Sequence, residues 1–100
     1  MSEVKVTHNK DEARYEARID DALAGFIEYR LTDQIIVMSH TEVDQTFEGQ
    51  GVGSALARFA LDDVEADGKR RVLPTCPFIK GWIHKHPEYA KLVYGVAPQP

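Results

Sequence analysis

The sequence predicts an α+β fold, a mostly antiparallel sheet closed by one βαβ crossover, with elements in the order ββββαβαα. Three observations predict it. Apolar residues recur at every second position through much of the chain up to Val43, the period then changes to three and four, and a short apolar run returns near Val72. At 100 residues, all of positions 1–100 are read as one domain large enough for a hydrophobic core.

The elements follow in order. Val4 and Val6 mark a short edge strand. In the next segment Ala13, Tyr15, Ala17 and Ile19 fall on one side and Arg14, Glu16, Arg18 and Asp20 on the other, the pattern of a strand with one wet face. "LAGFIEYRL" and "QIIVMSHTEV" supply two more strands, and turn-forming residues in "NKDE", "DDA" and "TDQ" make hairpins the economical connections. Val52, Leu56, Phe59, Ala60 and Val64 then form a helical stripe, with Gly68 placed to end it. "RRVLPTC" is a short strand. A strand, helix, strand passage needs a crossover, so residues 72–75 are expected to pair parallel to the strand 35–43. Pro77 suits the first position of a helix capped by Thr75 or Cys76, with Phe78, Ile79, Trp82 and Ile83 as its buried stripe. Pro87 breaks that helix and opens a last one through "EYAKLV".

Composition narrows the function. Hydrophobic residues make up 43% and charged residues 28%, the proportions of a globular protein rather than a disordered or membrane one. The net charge of −4 and the scatter of basic residues outside "KRR" argue against nucleic acid as the main ligand. No run approaches a spanning helix and the first ten residues lack a signal-peptide core, so no membrane association and a cytoplasmic location are expected. Cys76 is the only cysteine, which excludes an intrachain disulfide and a cysteine-based zinc cluster. His8, His40, His84 and His86 make no recognised metal spacing. An exposed edge strand leaves a monomer or a weak homodimer as the expected state.

"FEGQGVGSAL" is the segment with chemical content. A triphosphate loop needs a lysine after its last glycine, and none follows Gly53. A dinucleotide fingerprint starting at Gly49 and Gly51 needs a third glycine where Ser54 stands. "EGQGVG" is also similar to a methyltransferase loop for S-adenosylmethionine, but too little chain follows to build the large sheet such a loop serves. What fits is a turn between an antiparallel strand and a helix, where unpaired N–H groups and the helix dipole favour an anion. The alternative is a glycine-rich turn with no ligand.

This turn resembles motif A of the GNAT superfamily of acyl-CoA N-acyltransferases, Q/R-x-x-G-x-G/A. The motif falls on Glu48, Gly49, Gln50, Gly51, Val52 and Gly53, with Glu48 where glutamine or arginine is usual. "PTCPFIKGWIHKHPEYAKLV" is similar to a second signature, that of small single-domain GNAT-like acetyltransferases of the N-acetyltransferase-domain-containing type. Cys76, Phe78, His86, Pro87, Glu88 and Tyr89 match it. The resemblance spans essentially the whole chain and implies a minimal GNAT fold that binds acetyl-CoA or coenzyme A. It implies an N-acetyltransferase acting on an amine, either a small molecule or a peptide lysine. The alternative is a non-catalytic CoA-binding or protein-interaction module.

The same resemblance assigns roles. Gly49, Gln50, Gly51, Val52, Gly53 and Ser54 would hold the pyrophosphate, and backbone groups of Glu42 and Val43 the pantetheine arm, with Cys76 and Phe78 completing the cofactor contacts. Cys76 stands near the place where larger relatives carry a tyrosine acid. As a thiol it is a proton donor to the leaving thiolate, a nucleophile, or simply a small buried helix cap. Glu42 and His40, two apart on one strand, face one side and are the candidate bases.

Overall fold

The computed structural model describes residues 3–95. β1 (Lys5–Asn9), β2 (Arg14–Ile19), β3 (Ala22–Leu31) and β4 (Ile35–Val43) form the expected antiparallel meander, and β5 (Arg71–Pro74) joins it parallel to β4. α1 (Val52–Asp67) makes the crossover and α2 (Pro77–Lys85) follows β5. No helix among the described residues is long and apolar enough to cross a membrane.

The core lies between the sheet and α1. Val52, Leu56, Ala60 and Val64 are buried as their spacing predicts, joined by Ala57 and Leu61, against Tyr15, Ala17, Ile27 and Met38. Gly68 ends α1 in the left-handed region, φ 70°, with its N–H on Val64 O. α2 lies beside α1, and Trp82 Nε1 donates to Ser54 Oγ at 3.1 Å.

Four expectations change. Phe59 is 39% and Phe78 41% exposed, so neither belongs to the buried stripes, although Ile79, Trp82 and Ile83 do. A ring at the edge of a stripe rolls onto the rim when smaller residues fill the centre. Glu16, placed by alternation on the wet face, is 4% exposed because Arg14, Arg18 and Asn9 fold over it. Burial alone would raise its pKa, but these hydrogen bonds and the guanidinium charge of Arg14 hold it below the ordinary carboxylate range. The last helix is a 3-10 helix, Pro87–Leu92, not an α-helix. Tyr89 N–H bonds His86 O and Val93 N–H bonds Ala90 O, the three-residue pattern of a segment too short for a regular helix. It then delivers Val93 to the outer edge of β5 as a parallel bridge to Val72.

Two irregularities in the sheet set up the site. Ala17 pairs with Gly25 but Arg18 with Leu23, and His40 pairs with Glu28 but Met38 with Tyr29, so Ala24 and Ser39 stand as extra residues. Each is a bulge, which resets the alternation beyond it.

Candidate active site

β4 is longer than the partner that flanks it. Its parallel pairing runs from Ile35 with Arg71 to Met38 with Pro74, and then Thr75 and Cys76 both donate their N–H to Met38 O. From Ser39 to Val43, β4 stays paired to β3 on one side while β5 has already turned into α2. The sheet therefore opens at this point, with unpaired strand edge along one wall and the first turn of α2 along the other.

The bulge at Ser39 decides which side chains line that opening. Before it, Ile36 and Met38 are buried; beyond it the helix-facing positions become Thr41 and Val43. Thr41 Oγ1 lies 3.3 Å from Cys76 Sγ, a thiol 4% exposed at the N-cap of α2. Burial pushes this thiol's pKa up, but hydrogen bonds from the Thr41 hydroxyl and from the N–H groups of Ile79, Phe78 and Thr41 outweigh it and hold the thiol below its ordinary value. Among the described residues no three His, Cys, Asp or Glu side chains are grouped to hold a metal.

His40 and Glu42 do share a face, but it is the face turned away from Cys76. Both are exposed, and their cross-strand partners are Glu28 and Phe26. His40 has its ring 6.1 Å from that of Phe26, and Glu42 lines a cavity of about 490 Å³ with Phe26, Val43 and Asp44. The two candidate bases thus flank β4 opposite the thiol.

The glycine turn sits at the mouth of the opening. Asp44 caps a 3-10 turn, Gln45–Phe47, by accepting from Thr46 N–H at 2.8 Å, and the chain then reaches α1 through Gly49 and Gly51 at φ 81° and 78°. An alanine Cβ at either would meet no atom within 4 Å, so glycine is required there by backbone conformation and not by crowding. Gly53 differs: its Cβ would lie 2.7 Å from Phe78 Cζ, so the exposed ring of Phe78 rests on the first turn of α1. Gly51 caps α1 with no side chain, and no acceptor among the described residues meets the N–H groups of Val52, Gly53 and Ser54. Val52 anchors the turn, 2% exposed, against Gly25. The Ser54 hydroxyl accepts from the Trp82 N–H, while the Ser54 backbone N–H meets no acceptor among the described residues.

Gly25 also shapes the opening, although no motif or periodicity points to it. Its Cβ would lie 2.6 Å from Glu42 O, 3.1 Å from Val52 Cγ1 and 3.3 Å from Leu56 Cδ1. Only a glycine allows β4 and α1 to approach this closely, and a glycine inside a strand was the available signal. Arg58, a conceivable phosphate partner, instead packs over the Trp82 ring at 5.4 Å and donates to Tyr89 Oη at 3.3 Å.

The GCN5-related N-acetyl-transferase family model matches residues 14–92, which include the opening, the turn and Cys76. Protein NATD1 of Mus musculus is 28% identical over 87 residues, covering 84% of this chain and 77% of the mouse protein. The protein of the same name in Xenopus tropicalis is 27% identical over 89 residues, 86% of this chain and 80% of its own. The fold is shared with a GCN5-like protein of Staphylococcus aureus solved by NMR, at TM-score 0.70 and 23% identity over 97% of this chain and 94% of that one. It is shared more loosely with ribosomal-protein-alanine N-acetyltransferase of Brucella melitensis, at TM-score 0.58 and 18% identity, covering 91% and 69%. With the match running from β2 to the end of the 3-10 helix, the chain belongs to the GCN5-related N-acetyltransferase family.

Proposed function

We propose that the chain binds acetyl-CoA and transfers the acetyl group to an amine, a small molecule or a peptide lysine. The observation that carries this reading is the convergence of two donor-rich helix N-termini on one split in the sheet. The unpaired amides of Val52, Gly53 and Ser54, with Gly49, Gln50 and Gly51 before them, suit a pyrophosphate. The open edge of β4 at Val43 suits an amide group of a pantetheine arm, with Phe78 at its side, whereas the carbonyl of Glu42, the other residue the resemblance names, points back at Gly25 of β3. The thiol of Cys76, held toward thiolate, suits the reacting carbonyl.

In this reading Cys76 either protonates the departing CoA thiolate or attacks the thioester carbon itself. In the second case the new bond is C–S to Cys76, the CoA sulfur leaves with the bonding pair, and the amine then displaces Cys76 and loses its proton. Glu42 or His40, on the other face of β4, receives that proton through water. The separation of these two from Cys76 favours a second reading, a CoA-binding module without transfer. Calorimetry with acetyl-CoA and CoA tests the first reading. Binding at micromolar to millimolar ligand supports it, and no heat at millimolar ligand removes it. Binding without transfer to any amine, polyamine or lysine peptide selects the second.

A further inference from the structure

At the far end of β4 from Cys76, a cavity of about 440 Å³ lies between the sheet and the last turns of α1. Its polar floor is a hydrogen-bond chain assembled from β1, β2, β3 and α1. Tyr15 Oη donates to Asp63 Oδ2 at 2.8 Å, His8 Nδ1 lies 3.2 Å from the same oxygen, and His8 Nε2 lies 2.6 Å from Tyr29 Oη. The carboxylate draws the imidazole proton to Nδ1, so Nε2 accepts from the Tyr29 hydroxyl. Burial keeps this imidazole neutral against the pull of Asp63. With its proton taken up, the Tyr29 oxygen can only accept, and so can Asp63 Oδ1, which no donor among the described residues reaches.

The rim has a different character. Arg70 is pinned there by Nε donating to Thr32 O at 2.7 Å, and Lys10 and Asp67 stand on the same cavity. Among the described residues none of these three forms an ion pair. Charges of opposite sign thus share one cavity without meeting, between walls formed by Leu31, Ile36 and Val64. A lone anion here would face Asp63 and Asp67, and a lone cation would face Lys10 and Arg70. A molecule bearing both charges complements both pairs.

We propose that this cavity binds a small zwitterion with an apolar side chain, an α-amino acid of the leucine or phenylalanine kind. Its ammonium is accepted by Tyr29 Oη and Asp63, its carboxylate meets Arg70 and Lys10, and its side chain lies against Leu31, Ile36 and Val64. The site is separate from the sheet opening and does not depend on the acetyl-transfer reading.

A nitrogen–proton NMR titration of the full chain with L-leucine and L-phenylalanine tests it. The expected result is saturable shifts at His8, Tyr29, Val64 and Arg70, with Gly49 to Ser54 unmoved. 4-Methylpentanoate, which lacks the ammonium, and 3-methylbutylamine, which lacks the carboxylate, should each bind at least about tenfold more weakly. Asp67→Asn and Arg70→Gln change rim charges without touching the core and should each weaken leucine binding several-fold. No saturable shift, an analogue with one charge binding as well as leucine, or both variants binding like the parent would overturn the proposal.

Discussion

The two ends of β4 build polar sites from different material. At its C-terminal end the site is made of backbone: a strand edge left open, a bulge at Ser39, and the first amides of α1. At its N-terminal end it is made of side chains, His8, Tyr15, Tyr29 and Asp63, each from a different element and bonded to one another. A backbone site keeps donors available because helix starts and split sheets cannot pair them internally. The side-chain cluster satisfies most of its own groups and holds edge strand β1 to α1. The first should therefore respond to substitutions that alter backbone path, and the second to protonation.

The largest expected effect tests whether chemistry sits at the backbone end. Cys76→Ala should lower acetyl transfer by about 100-fold or more while CoA affinity stays within a few-fold. Full turnover in that variant would make Cys76 a helix cap and nothing more. Next comes Gly25→Ala, whose added methyl meets Glu42 O and Val52 together. It should cost about 2 kcal/mol of stability in urea unfolding, and an unchanged midpoint would show that α1 seats elsewhere. Gly51→Asp should weaken CoA binding about tenfold by setting a carboxylate where the pyrophosphate is read to lie, with the fold retained in circular dichroism.

The smallest effect belongs to the other end. His8 titrates lower in the folded chain than in the unfolded one, so the unfolded chain takes up its proton first. Its contribution is fully present above about pH 6.5, declines as pH falls from there through the folded-state value, and is flat below both. Thermal melts between about pH 7 and pH 5 should show a loss of stability that His8→Gln flattens. Equal slopes in the two proteins would separate the cluster from stability.

These sites were not equally legible. The motif treats the three glycines of the turn as one device, and they do stand at the junction between β4 and α1. Their reasons differ, since Gly49 and Gly51 adopt positive φ whereas Gly53 makes room for Phe78. Period alone placed Phe59 and Phe78 inside, although a stripe two residues wide has no space for every ring on it. Alternation puts Glu16 on the wet face because it reports which face a residue takes and not whether arginines close over it. The His8, Tyr15, Tyr29 and Asp63 cluster leaves no local trace, because its members are drawn from four elements and Tyr15 and Asp63 alone stand 48 positions apart.

Sequence by itself determined the order of the elements, the parallel pairing of β5 with β4, the end of α1 at Gly68 and the place of the glycine turn. Each follows from periodicity or backbone freedom over a few neighbouring residues. Tertiary structure alone decided that Thr41 faces Cys76 while Glu42 and His40 face away, that Gly25 admits α1, and that a histidine of the edge strand meets a carboxylate of the helix. Those outcomes depend on register and on one extra residue at Ser39, and register is set by the packing of distant segments.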